Sequence, residues 1–163
     1  MHIYIKNKKL VIDQYRIKCA IGKRGIGIKK KEGDCITPLG KFKIKFILYR
    51  KDRISNLKSR IDKISIQKNM GWCDDPKSSK YNKLIRYPFQ FSAERLYRYD
   101  NVYDVILVLS YNISPTIKNK GSAIFLHISK RNYQNTKGCI AVNKRDIKKI
   151  IKIINNKTIV NIN

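Results

Sequence analysis

Acidic residues are scarce in this 163-residue chain: 11 Asp and Glu stand against 37 Lys and Arg, for a formal charge of +26. Such a balance raises nucleic acid as a partner, because neutralising phosphates releases counterions. The basic runs, such as Lys29-Lys30-Lys31 and Lys148-Lys149, are short and punctuate apolar positions, and no aromatic RNA-binding strand or recognition-helix pattern accompanies them. No nucleic-acid function is expected. The charge reads either as a solvated, lysine-biased surface or as a positive field that draws in anionic substrates or polymers.

Histidine is scarcer still, with only His2 and His127, and the four cysteines, Cys19, Cys35, Cys73 and Cys139, never pair as C-x-x-C. Neither a zinc ligand set nor a disulfide ladder is suggested, and no metal or organic cofactor is expected. Cys19, inside the mostly apolar segment Ile17 to Ile21, reads as a small buried hydrophobe; Cys35 and Cys73, beside polar turn residues, read as structural. Long apolar runs are also missing. The longest candidates, Val105 to Leu109 and Ile150 to Ile154, the second broken by Lys152, fall far short of the roughly 18 to 20 residues of a membrane span, so none is expected. The opening Met1-His2-Ile3-Tyr4-Ile5-Lys6 has strand-like alternation and no apolar signal region, so the expected location is cytoplasmic, or the cell envelope if the start is incomplete or export follows another route.

No Pro-, Gly- or Ser-rich linker and no repeat divides the chain, and 42% hydrophobic residues are enough for one core, so a single domain over 1–163 is expected. Ile3 to Ile5, Leu10 to Ile12, Tyr15 to Ile21 and Phe42 to Tyr49 are rich in β-branched and aromatic residues and predict a β-meander. Asp52 to Arg98 is a long irregular stretch, of the kind that holds functional groups out from a scaffold. Val105 to Leu109 and Ala123 to Ile128 predict buried strands, the second with His127 near its end. A helix then follows, capped by Asn143, with Asp146 in its first turn and Ile147, Ile150, Ile151 and Ile154 on one face. Thr158 to Ile162 alternates as a closing strand.

A thiol becomes a nucleophile when a base or a positive potential lowers the cost of its thiolate. Cys139 has candidates for both: the predicted helix shortly after it, and His127, which the polar connection Ser129 to Lys137 could bring back to the sulfur. Gly138, lacking a side chain, leaves room for a carbonyl to approach the backbone. A core histidine and a buried thiol would satisfy the same pattern.

The run Gly121-Ser122-Ala123-Ile124-Phe125-Leu126-His127, with Thr136-Lys137-Gly138-Cys139-Ile140-Ala141, resembles the active-site signature of the YkuD-type L,D-transpeptidases. Glu32-Gly33-Asp34 with Thr37-Pro38-Leu39-Gly40, and Gly71-Trp72-Cys73-Asp74-Asp75-Pro76 with Tyr81-Asn82, are similar to further motifs of that family, the second set to those of one subgroup. Ser92-Ala93-Glu94-Arg95-Leu96 and Tyr103-Asp104 fit the same subgroup, so the likeness spans nearly the whole chain in order.

The resemblance implies a mostly β sandwich with a long irregular centre and a C-terminal helix, and acyl transfer on peptidoglycan stem peptides at the bond between a diamino acid and D-alanine. It implies Cys139 as nucleophile, His127 as base, and the backbone amides of Gly138 and Cys139 as oxyanion donors. Lys137 and Ala141 stand where many members carry His and Arg, and Ile128 stands where Gly is common. Lys137 then either contacts a substrate carboxylate or is an ordinary solvated lysine. Asp74 and Asp75 either recognise the amine of a diamino acid or cap a turn before Pro76. Trp72 either walls the pocket or fills the core, and Tyr111 joins the candidate substrate-binding residues. Transfer to an amine makes the chain a transpeptidase, and transfer to water a cytoplasmic L,D-carboxypeptidase of wall recycling. A non-catalytic basic binding module is the rival of another class. The oligomeric state is left open.

Overall fold

Ile3 and Ile5 point inward between exposed His2, Tyr4 and Lys6, a period of two that builds the half-buried strand β1 (His2–Lys6). The computed structural model describes all 163 residues, Met1–Asn163. After β1 come β2 (Lys9–Ile12), β3 (Tyr15–Lys18), β4 (Ile26–Gly27), β5 (Thr37–Pro38), β6 (Gly40–Tyr49), β7 (Lys63–Ser65), β8 (Met70–Cys73), β9 (Leu84–Arg86), β10 (Ala93–Arg95), β11 (Val105–Leu109), β12 (Phe125–Ile128), β13 (Ile140–Val142), the helix α1 (Lys144–Ile153) and β14 (Ile159–Ile162). The fold is mostly β, with an irregular centre and one C-terminal helix. No helix is long and apolar enough to cross a membrane.

The main sheet runs β13-β12-β11-β6-β14-β1-β2-β3, with β7 beside β6. The meander therefore stops at β3. The strand expected next in it, β6, is separated from β1 by β14, which pairs parallel to β1 and antiparallel to β6. The expected strand to Ile21 ends at Lys18, because the chain leaves β2 there to reach the opposite edge of the sheet. Ala20 and Ala141 exchange backbone hydrogen bonds of 2.8 and 2.9 Å, joining that edge back to β13.

The buried run of β11 has both faces covered. Val105, Leu107 and Leu109 enter a 26-residue core with Ile3, Ile5, Leu126 and the helix isoleucines. Ile106 and Val108 enter a second core of 10 residues on the other face, with Trp72, Leu96, Tyr103 and Phe125. A register shift between Val108 and Leu109 brings Ile44 opposite Leu109. It skips exposed Lys45, which regular pairing would have turned into the large core. The second core is roofed by a small sheet, β10-β8-β9.

Helix α1 starts as expected. Asn143 Oδ1 accepts the Asp146 amide at 2.8 Å, and Ile147, Ile150 and Ile151 are buried. The helix does not, however, start at Cys139. Strand β13 intervenes, and its three residues put the helix N-terminus about 10 Å further along the chain. Lys144, in the first turn, instead pairs with buried Asp104 at 3.0 Å, and Arg53 reaches the same carboxylate at 3.0 Å.

Candidate active site

Alternation along β12 sends Leu126 and Ile128 into the large core and leaves Phe125 and His127 on the face turned toward the small sheet. Parallel pairing sets Leu126 opposite Ile140 and His127 opposite Ala141, so Cys139, one residue before β13, lies alongside Phe125. The Phe125 amide donates to Cys139 Sγ at 3.4 Å, and the thiol donates to the Ala123 carbonyl at 3.1 Å. Cys139 and His127 face one cleft of about 810 Å³, shared with Trp72, Asp74, Glu94 and Lys137. They are brought into one cavity without a sulfur–imidazole hydrogen bond, because the thiol proton is directed at Ala123.

His127 Nδ1 lies 2.9 Å from the Ile128 carbonyl. A carbonyl only accepts, so Nδ1 carries the proton and Nε2 keeps its lone pair. The Tyr103 ring meets the imidazole edge-on at 5.3 Å, and its hydroxyl donates to Glu94 at 2.7 Å. Burial lowers the His127 pKa to about 4 against the modest pull of the Ile128 contact. Burial likewise raises the Cys139 thiol to about 12, against the Phe125 amide, which favours the thiolate. At neutral pH the pair therefore rests as neutral thiol and neutral imidazole. Burial also raises Glu94, offset in part by the Tyr103 hydroxyl and Arg98.

A frame of buried polar groups holds this arrangement. Asn82 accepts the Trp72 indole N–H and the Ala123 amide through Oδ1, both at 2.9 Å, and donates to the Asn112 carbonyl at 2.6 Å. The roof is thus tied to the very residue whose carbonyl holds the thiol. Tyr81 donates to Glu32 and accepts the Gly121 amide. Asp34 takes Lys29 at 2.6 Å together with the amides of Lys30, Lys31 and Ile36. Burial alone would raise this carboxyl, but those donors outweigh it and hold it near 2.

The remaining sequence candidates divide. Asp74 lines the cleft, and its Oδ1 is buried without a hydrogen-bond partner. Asp75 lies outside the lining and caps a turn, taking the Lys77 amide at 2.9 Å and the Ser92 amide at 3.4 Å. Tyr111 also lies outside it: its hydroxyl donates to the Lys120 carbonyl at 2.5 Å and its ring packs against Phe42. Trp72 fulfils both of its readings, 3% exposed in the second core yet part of the cleft wall. Lys137 is exposed at the cleft, and Ala141 lines it. Of the two expected oxyanion donors, the Gly138 amide is engaged by Thr136 Oγ1 at 3.1 Å, whereas the Cys139 amide has no acceptor. Glu94, Tyr103, Asn82 and Thr37 were present in the motif segments without assigned roles. No group of three or more His, Cys, Asp or Glu side chains is placed to hold a metal.

A thiol, an imidazole with a free Nε2, an unengaged backbone amide and an open cleft are the parts of nucleophilic acyl transfer. No curated protein matches the chain. The family model of the L,D-transpeptidase catalytic domain, YkuD, matches residues 1–162. With that match over the sheet, the roof and the cleft alike, the chain belongs to the YkuD family of L,D-transpeptidase catalytic domains.

Proposed function

We propose that the chain is a cysteine acyltransferase that forms a thioester between Cys139 and a peptidoglycan stem peptide, cleaving the bond between a diamino acid and D-alanine. The observation that carries this reading is Cys139 sharing one cleft with a neutral His127 whose Nε2 is free. Since both groups rest neutral, the thiol leaves Ala123 and passes its proton to Nε2 as the sulfur attacks the substrate carbonyl. The Cys139 amide takes the developing oxyanion. Collapse of the tetrahedral intermediate breaks the C–N bond, and imidazolium returns the proton to the departing D-alanine amine. An amine or a water then attacks the thioester, again with His127 as base, and the thiol is released.

Asp74, with a buried oxygen lacking a partner, and Glu94 supply negative charge for the side-chain ammonium of the diamino acid. Asp74→Asn therefore raises KM for a diaminopimelate substrate more than it lowers kcat; an unchanged KM would remove this assignment.

The test is a disaccharide tetrapeptide carrying meso-diaminopimelate and a terminal D-alanine, incubated with the protein or Cys139→Ala and followed by mass spectrometry with and without added D-amino acid. The parent releases D-alanine, and the variant is slower by about a thousandfold or more. Exchanged or cross-linked product identifies an amine acceptor, and tripeptide identifies water. Equal release by both proteins, or none by either, refutes the cysteine mechanism.

A further inference from the structure

Thr37 is wholly buried, and its hydroxyl donates at 2.8 Å to the carbonyl of Gly138, 101 residues away in sequence. The same oxygen accepts the Gly22 amide at 2.8 Å, so its one proton is committed to Gly138. Gly138 O and Cys139 N–H belong to one peptide unit. That unit is planar and trans, and its carbonyl and N–H point in opposite directions. Fixing the carbonyl therefore fixes the direction of the amide.

The neighbouring groups are tied as well. Thr136 Oγ1 accepts the Gly138 amide at 3.1 Å and donates to the Cys139 carbonyl at 2.5 Å. Gly138 has φ +139°, and a Cβ there would stand 2.9 Å from the Ile36 carbonyl oxygen, so the Ile36–Thr37 backbone sits directly on it. Of the amides and carbonyls of Gly138 and Cys139, the Cys139 N–H alone lacks an intramolecular partner.

We infer that Thr37 is a positioning residue that aims the Cys139 amide at the oxyanion, acting through the Gly138 carbonyl. The inference rests on the acyl-transfer reading and adds to it a requirement on a residue that touches neither substrate nor thiol. A pre-aimed donor needs no reorganisation when charge develops, which is where such donors contribute most.

Two thiol reagents separate this role from a structural one. Iodoacetamide alkylates by displacement at a saturated carbon and forms no oxyanion, whereas a carbapenem acylates through a tetrahedral oxyanion. Thr37→Val is expected to slow acylation of Cys139 by about 100-fold, the scale of a misplaced catalytic contact, while alkylation stays within twofold. Thr37→Ser, which keeps the hydroxyl, restores acylation. Acylation and alkylation falling together, or acylation unchanged in Thr37→Val, overturns the inference. Should Thr37→Val not fold, Thr37→Ala carries the same comparison. The wild type supplies a readout without any variant: the Cys139 amide proton shifts downfield in the acyl-enzyme, and an unmoved resonance overturns the inference. A wild-type thiol that alkylates but never acylates removes the acyl-transfer reading itself, an outcome distinct from the loss of Thr37's role.

Discussion

The neutral resting state of His127 has a consequence for stability with a definite sign. In the unfolded chain the imidazole takes a proton near its ordinary 6.5; in the folded protein burial delays this to about 4. Between those values the unfolded state binds more protons, so stability falls as pH falls through the window and the loss is complete below about 4. The full difference is about 3 kcal/mol, most of which has gone by pH 4.5. Urea denaturation of the wild type and His127→Gln at pH 7.5 and 4.5 isolates this component, because the carboxylates common to both proteins cancel. The wild type is expected to lose about 2 to 3 kcal/mol more than the variant over that interval. His2 is the only other histidine, so an NMR titration needs just one variant, His2→Gln, to assign the imidazole signals. A His127 signal titrating at or above 6.5, with no excess acid loss in the wild type, would refute the neutral pair and imply a preformed thiolate–imidazolium in its place.

With the Cys139 thiol held near 12, iodoacetamide alkylation at pH 7 is expected to be slow and to rise about tenfold per pH unit through pH 9; a plateau near neutrality would show a depressed thiol. Asn82→Ala deprives Trp72 Nε1 and the Ala123 amide of their acceptor, at a cost of about 2 to 4 kcal/mol. Trp72 is the sole tryptophan, so its fluorescence reports the same loosening directly, and an unchanged spectrum and melting midpoint would deny the tie. Leu107→Ala, at a fully buried position of the large core, is expected to lower unfolding free energy by about 2 to 5 kcal/mol with little change in the rate of Cys139 labelling, since Leu107 does not line the cleft.

The parts of the molecule legible in the sequence are those encoded within a dozen residues. The α1 cap at Asn143 and its isoleucine stripe follow from a local period, and so does the doubly covered β11. The pairing of Cys139 with a cleft containing His127 was legible from the motif. Placement of β14 between β1 and β6 was not, because a parallel neighbour more than 150 residues away leaves no mark on the alternation of either strand. The same holds for Thr37, Asn82 and Tyr103. Each works through a partner set by distant pairing, so residue type alone could not distinguish a frame member from an ordinary buried polar group. The helix N-terminus lies away from Cys139 for a local reason: Ile140 and Val142 are β-branched, and Ile140–Val142 completes the sheet before Asn143 caps the helix. Asp75 differs from Asp74 only in which way the turn before Pro76 directs each carboxylate, a choice that composition does not encode.

The seat of β14 sets the order in which the chain can be assembled. During synthesis the hairpins of β1, β2 and β3 emerge first, yet β1 gains its other neighbour only when residues 159–162 are available. β6 waits for the same segment. Contacts of such long sequence separation make folding slow, since loop closure precedes any reward from pairing. Until β14 inserts, the main sheet is two separate pieces, and the Ala20–Ala141 closure two residues past Cys139 lacks the continuous sheet that supports it. A ribosome-bound nascent chain lacking those last residues therefore has no continuous sheet to hold Cys139 and His127 in one cleft, and their juxtaposition is a property of the finished topology rather than of the motif that contains Cys139.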